Sequence, residues 1–345
     1  MKDTFINCAR ELTIVVIGDV MLDVYVDGTV ERLSPEAPNC IVLDETQRTY
    51  AIGGAANVAH NLAHFGVKTR LCGTLGTAEN DFYHMVLADR IKQVCESKMF
   101  GSLEFFPVVE TGTRMTTVKK RFLSAGQQLL RVDREHRHPV RVGKYPDDGG
   151  DIGYAIKRCC YGADAVIISD YAKGMISDEV LAYTLATIRD LGIPYFVDPK
   201  RKDFLDYAQV GGVMPDAICP NYDEWQRSKQ RAEPESMTAA GMIIVTNGRL
   251  GCMQIRFEQF LSHWVEKHHK LQREVHVADP AGAGDTFIAA LTVALLAQRK
   301  DGAYPSVGEA CQIANCLASL TVSEHGIVLP DLLKAGLLIG EEVPA

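Results

Sequence analysis

Short apolar runs and longer runs with a helical repeat alternate along most of the chain. "TIVVIG" (13–18), "AVIIS" (165–169), "PYFVD" (194–198) and "MIIVTN" (242–247) are rich in β-branched residues and almost unbroken by polar ones. Such runs predict strands buried on both faces. Between many of them the spacing changes. Val58, Leu62 and Phe65 fall at i, i+4 and i+7, and "SDEVLAYTLATIRDLG" (177–192) carries a similar stripe that stops at Gly192. Both predict amphipathic helices. Strands alternating with helices predict an α/β fold whose mainly parallel sheet is covered on both faces. Ligands of such sheets gather beyond the carboxyl ends of the strands. Asp19, Asp170, Asp198 and Asn247 stand at those ends.

Two regions break the alternation. Residues 24–50 and 105–134 are extended and polar, without a helical period. They predict a small antiparallel sheet outside the main layer, a lid. Residues 138–151 read as a turn-rich linker. No internal repeat is present, and 1–345 is read as a single domain bearing the lid.

Composition narrows the class. At 345 residues and 47% hydrophobic, the chain can bury a substantial core. A net charge of −8 disfavours nucleic acid as a partner. No apolar stretch is long enough to span a bilayer, and the start does not resemble a signal peptide. The ten cysteines are scattered, with no zinc-like spacing. A cytoplasmic protein with reduced, mostly buried thiols is expected.

The candidate chemistry begins at "DPAGAGDTFIAALTVALL" (279–296). Gly282 and Gly284 let the backbone curl so that N–H groups converge, and the following helix leaves its first N–H groups unpaired. Together with Ala283 they predict an anion cradle suited to a phosphoryl group in flight. Asp285 sits in the first helical turn, where the helix dipole is expected to lower its pKa. It is a candidate base for a substrate hydroxyl. Taken alone, the motif reads equally as a loop and helix cap. No Lys-Ser or Lys-Thr follows the glycines, so it is not a P-loop. A second motif, "GGAANVAHNLAHFG" (53–66), opens a helix with Gly53 and Gly54 and presents Asn57 on its first turn. Gly-Gly permits close approach by a ligand, and Asn57 can both donate and accept hydrogen bonds. Tight helix–sheet packing is the plainer explanation.

The two motifs, in this order and separation, resemble the two signatures of the ribokinase-like (PfkB) sugar kinases. The resemblance runs from "VVIGDVMLD" to the helix after Asp285. It implies a three-layer αβα domain with a small β-sheet lid. It also implies ATP and Mg²⁺ as cofactors, and in-line transfer of a phosphoryl group to a sugar hydroxyl. Within the family, "GDVMLD", "SPEAP", "GGAANVA", "TTVKKRFLSAGQQLLRVD", "SDYAKG" and "VDPK" are most similar to kinases of D-glycero-D-manno-heptose 7-phosphate that act at the anomeric hydroxyl.

The resemblance makes Asp285 the catalytic base, with the amides near Gly282, Ala283 and Gly284 as the anion hole. It assigns the sugar to Asp19, Asp23, Gly53, Gly54 and Asn57, and adds Asp170 and Lys173 from "SDYAKG". On the strand "TVKKRFL", Lys119 and Arg121 share a face. Two cations there suit a terminal phosphate; an exposed solubilising edge strand is the alternative. Arg131 and Asp133 also share a face and either serve the substrate or pair with each other. On the nucleotide side the implied residues are Lys200, Asn221, Glu224, Thr246, Asn247, Gly248 and Asn315, with Gly282 and Gly284. Glu224 is expected to reach magnesium through water. Without the resemblance, Asn221-x-x-Glu224 is a helix-capping pattern.

The segment from Glu224 to Met242 is shorter and more polar than in the heptose kinases, and Glu324 stands where they tend to have lysine. No His-x-Gly-His motif is present, so the kinase alone is expected rather than a kinase–adenylyltransferase fusion. Two readings stay open beside heptose 7-phosphate: a PfkB kinase for another sugar or sugar phosphate, and a catalytically idle sugar- or nucleotide-binding regulator. Ile41 and Leu43, pointing the same way along a lid strand, suggest a homodimer joined lid to lid.

Overall fold

One short strand serves two cores. In β1 (Thr13–Gly18), Ile14 and Val16 join one cluster of buried residues, while Val15 and Ile17 join another. That split is the two-residue repeat of a strand. The computed structural model describes residues 2–37, 40–76, 81–97, 101–110, 114–143, 152–201, 203–208, 213–230, 242–258, 263–271, 275–300, 307–332 and 334–336.

Among these residues nine strands form the main sheet. Its parallel body runs, in spatial order, β11 (Met242–Thr246), β10 (Ala217–Ile218), β9 (Tyr195–Asp198), β8 (Ala165–Ser169), β1, β4 (Lys68–Gly76) and β5 (Ser102–Glu110). Beyond β11, β12 (Cys252–Glu258) and β13 (His263–His269) continue it antiparallel. The helices α1 (Lys2–Arg10), α2 (Ala55–Phe65), α7 (Ala283–Lys300) and α8 (Val307–Thr321) supply one apolar layer. The opposite layer comes from α4 (Ile152–Cys160), α5 (Asp178–Leu191) and α6 (Tyr222–Lys229). The helix ends follow local chemistry. Ser177 Oγ accepts the Val180 N–H at 3.1 Å at the start of α5, and Gly192 ends it in the left-handed region.

The second sheet is the lid, in the order β3 (Ile41–Gly54), β2 (Val20–Leu33), β6 (Thr117–Ser124), β7 (Gln127–Arg134). Two expectations change here. The lid is mixed rather than antiparallel, because β6 pairs with β2 in parallel. The chain returns to β2 only after passing through α2, β4, α3 (Phe82–Glu96) and β5, and a crossover of that length delivers a parallel strand. Residues 105–110 belong to β5 at the edge of the main sheet, so the second lid segment starts at Thr117 rather than at 105. An extended pattern does not say which sheet a strand joins. The first lid segment, at its base, reaches further than expected, to Val20 and Gly54. Of the linker expected at 138–151, residues 144–151 lie outside the described residues.

Candidate active site

The loop before α7 meets the start of α2 and the inner face of the lid. Asp285, in the first turn of α7, is 4% exposed. Its Oδ2 accepts a hydrogen bond from Asn57 Nδ2 at 2.7 Å, and its Oδ1 accepts one from the Tyr171 hydroxyl at 2.5 Å. Burial pushes its pKa up to about 6, against the lowering effects of Tyr171, Asn57 and the Lys119 charge. This reverses the direction expected from the helix dipole. A dipole at a helix end is a modest effect, while removing a carboxylate from water is a large one. The reversal suits a base working near neutral pH.

A chain of side chains locks this geometry. Thr286 Oγ1 donates to Asn61 Oδ1 at 3.0 Å, and Asn61 Nδ2 donates to the Asn57 carbonyl at 2.9 Å and to Asn57 Oδ1 at 3.3 Å. Asn57 therefore turns its amide nitrogen towards Asp285. Gly282 has φ of 81°, and a Cβ there would lie 2.9 Å from Asn57 Nδ2. Among the described residues, the N–H groups of Gly282, Gly284 and Asp285 meet no protein acceptor, while Ala283 N–H turns back to the Pro280 carbonyl at 3.4 Å.

Three cavities converge on this turn. One of about 230 Å³ lies under the lid and is lined by Asp23, Gly54, Lys119, Arg121, Tyr171, Gly282, Gly284 and Asp285. A smaller one of about 130 Å³ is lined by Asp170, Tyr171, Asp198, Lys200, Asn221, Glu224, Thr246 and Gly284. The largest, about 770 Å³ and mostly apolar, is lined by Thr246, Gly248, Val275, Val277, Gly284, Phe287, Asn315 and Val322 among others. Gly284 lines all three, and a Cβ there would meet nothing within 4 Å.

Under the lid, Asp23 and Lys119 are cross-strand neighbours, as are Tyr25 and Arg121. Arg121 is buried, pairs with Asp23 and lies over the Tyr25 ring at 5.1 Å. Gly53 makes room for that pair, since a Cβ on it would come within 2.1 Å of Asp23 Oδ2. Lys119 forms no ion pair among the described residues; its ammonium stands 5.1 Å over the Tyr171 ring. Burial pushes the Lys119 pKa down against the opposing charges of Asp23 and Asp285.

Several expected contacts stand apart from the lid cavity. The Asp19 carboxylate accepts N–H groups from Tyr171, Lys173 and Met175 at 2.9 to 3.0 Å, which staples the loop after β8. Asp170 faces the 130 Å³ cavity and accepts from the Tyr207 hydroxyl at 2.7 Å. Lys173 pairs with Glu135 at 2.7 Å, beside the end of β7. Arg131 and Asp133 pair with each other at 2.9 Å on the exposed β7. Asn57 supports Asp285 from behind rather than lining the cavity. Of the residues expected on the nucleotide side, Asn247 donates its backbone N–H to the Gly251 carbonyl at 2.8 Å and is not on the lining of the large cavity. Asn315 lines the large cavity and donates to the His269 carbonyl at 2.8 Å.

Glu224 has both oxygens engaged. Oε1 takes Lys200 Nζ at 2.5 Å, and Oε2 takes the Asn221 N–H at 2.9 Å in a complete capping box. The capping pattern is thus real, and it sits on the cavity wall. Among the described residues no three His, Cys, Asp or Glu side chains are grouped to hold a metal ion. Oxygen donors at a cavity wall without a cage fit a magnesium ion held mainly by phosphate and water. Among the wall residues that the sequence reading of the site omits, two carry oxygen groups on the smaller cavities: Tyr171, between Asp170 and Lys173 in the quoted "SDYAKG", and Asp198, noted only as a strand-end acid.

Comparison with known proteins gives the family and the fold. The model of the pfkB family carbohydrate kinases matches residues 11–90 and 160–333. "Bifunctional protein HldE" of Gluconacetobacter diazotrophicus is 34% identical over 94% of this chain and 63% of that protein. The protein of the same name from Geotalea uraniireducens is 31% identical over 92% of this chain and 61% of that protein. The chain thus spans just over three fifths of the length of these relatives. The fold is that of Escherichia coli phosphofructokinase-2 in complex with substrates and products (TM-score 0.68, 16% identity, 95% of this chain and 98% of that one). Arabidopsis thaliana ribokinase complexed with ribose and ATP is similar too (TM-score 0.64, 19% identity, 96% and 99%). The chain belongs to the pfkB family of carbohydrate kinases and has the ribokinase-like α/β fold.

Proposed function

We propose that the chain phosphorylates D-glycero-β-D-manno-heptose 7-phosphate at its anomeric oxygen, giving the 1,7-bisphosphate. One observation carries this: a lid cavity lined by two acids, Asp23 and Asp285, and two cations, Lys119 and Arg121, shares Gly284 with the other two cavities. The motifs shared with heptose 7-phosphate kinases and the similarity to proteins named HldE support the sugar.

In this reading Asp285 takes the proton of the sugar hydroxyl as its oxygen attacks phosphorus. The free N–H groups of Gly282, Gly284 and Asp285 hold the phosphoryl oxygens. Lys119 and Arg121 hold the remote phosphate, Arg121 by exchanging Asp23 for it. The large apolar cavity takes adenine, and Lys200 with the wall at Asn221 and Glu224 faces the phosphates. Glu224 would help hold magnesium at this wall, and the ion would supply neutralisation of phosphate charge. The lid excludes water from the transfer. The solvent-exposed side chains of Leu33, Ile41, Leu130 and Val132 on the lid support a homodimer joined through it.

A second reading has its own support. With Arg121 already neutralised by Asp23, the lid cavity is close to charge balance, which also suits a different sugar or sugar phosphate. A coupled ADP-release screen over sugar 7-, 6- and 1-phosphates and free sugars separates the two. Turnover strongest on the heptose 7-phosphate is expected. Turnover on free ribose or fructose with none on the heptose phosphate would overturn it, and binding of sugar and ATP without ADP would point to an idle regulator.

A further inference from the structure

The Tyr171 phenol is the closest polar contact of Asp285, at 2.5 Å, and the expected motifs give it no role. Its backbone is fixed as firmly as its hydroxyl. The Tyr171 N–H donates to Asp19 Oδ2 at 2.9 Å, and the next residue, Ala172, is held at φ of 55° with its N–H on Asp170 Oδ1 at 2.7 Å. Three acids at the mouth of the sheet thus fix this short loop, Asp19 and Asp170 through the backbone of Tyr171 and Ala172 and Asp285 through the phenol. That side chain lines both the lid cavity and the 130 Å³ cavity, so it stands where the two meet. Lys119 caps its ring face.

We infer that Tyr171 is a positioning residue of the phosphoryl transfer: its hydroxyl holds Asp285 Oδ1, keeping the carboxylate in its base form and aimed into the lid cavity. The inference rests on Asp285 being the base. The supporting chemistry is direct. Asp285 is almost fully removed from water, so its anion depends on donors. It has two neutral ones, Tyr171 on Oδ1 and Asn57 on Oδ2. Burial and the Asp285 charge push the Tyr171 phenol well above its ordinary pKa, so it remains a donor throughout the working range. The ionisable groups around Asp285 are Tyr171 from the loop after β8, Lys119 and Arg121 from β6, Asp23 from β2 and Asp198 from β9. Lys119 favours the anion, while Asp23 and Asp198 oppose it. Removing the phenolic donor therefore favours protonation of the base.

The test is the pH dependence of kcat/KM for the sugar substrate in two variants of the full chain. Tyr171→Phe is expected to move the acidic limb up by about one to two pH units, with most of the rate regained above the shifted limb. Replacement of Tyr171 by 3-fluorotyrosine, a near-isosteric phenol of greater acidity and a stronger donor, is expected to move the limb down. Opposite signs are the signature, since a packing defect would not change sign with donor strength. An unmoved limb in Tyr171→Phe, or both variants shifting the same way, overturns the inference. If Asp285→Asn retains the full rate, the base assignment has failed and Tyr171 falls with it. If Asp285→Asn is inactive and the limb is unmoved in Tyr171→Phe, only Tyr171 has failed.

Discussion

The proposed sugar side and the proposed nucleotide side of this site are built on opposite principles. Under the lid, every charge sits in a cavity of about 230 Å³ and nearly all are partnered: Asp285 by Tyr171 and Asn57, Arg121 by Asp23. Across Gly284 the large cavity is about 770 Å³ and mostly apolar, with Val275, Val277, Phe287 and Val322 on its wall and Arg249, Lys270 and Asn315 as its larger polar side chains. A preorganised polar site gains its strength from exclusion of water and loses it when one donor is removed. A generic apolar slot binds through area and tolerates substitution. Changes on the sugar side should therefore act on kcat and on sugar KM, with little effect on ATP.

The sharpest break of that contrast is Asp285→Asn. A drop in kcat of about a hundredfold or more is expected, the usual scale for loss of a general base, with ATP KM nearly unchanged. Steady-state ADP release in both substrates measures it. Gly284→Ala tests the point where the cavities meet. The added methyl meets no protein atom, so folding should be unharmed and the helix start stabilised by about 0.5–1 kcal/mol. Activity should still fall by about tenfold or more, because the methyl occupies the space left for the phosphoryl group. A normal rate with normal melting would remove the junction from the mechanism.

Arg121→Ala and Lys119→Met come next. Each should raise KM for a phosphorylated sugar by about tenfold, the value of one charge-assisted hydrogen bond, and change ATP KM far less. Equal effects on both substrates would indicate a damaged fold. The smallest effect is on stability. The folded-state pKa of Asp285, about 6, lies above its usual 3.8, so the native state binds the extra proton between those values. Its contribution to stability is then largest at low pH and declines as pH rises to about 6. Asp285→Asn, which carries no charge, should melt a few degrees higher than the parent at pH 7.5, with the difference shrinking towards pH 4. A lower melting temperature at pH 7.5 would mean that hydrogen bonds, not burial, dominate at this carboxyl.

Much of this was legible in the sequence, for identifiable reasons. "TIVVIG" and "AVIIS" are buried on both faces, so their pattern has no competing explanation. The turn at 279–285 carries its chemistry locally, and Gly282 at positive φ is what the motif requires. What escaped depends on long-range contact. The parallel entry of β6 and the transfer of 105–110 to the main sheet are set by the path between strands, not by their residues. Asp19 reads as a ligand-facing acid because strand ends usually are, yet three backbone N–H groups claim it. Arg131 and Asp133 share a face in sequence and pair there in space. Tyr171 gives no signal by itself, since a tyrosine after a strand is ordinary until Asp285 is brought beside it from 114 positions away.

The central claim is that Asp285 activates an alcohol while the neighbouring amides hold the phosphorus centre. A crystal structure with ADP, aluminium fluoride, magnesium and the sugar phosphate tests it most directly. The expected result places the acceptor oxygen about 3 Å from the Asp285 carboxylate, with the N–H groups of Gly282, Gly284 and Asp285 about 2.7–3.1 Å from the fluorides. A sugar hydroxyl held away from Asp285, with those N–H groups turned to protein carbonyls instead, would contradict it.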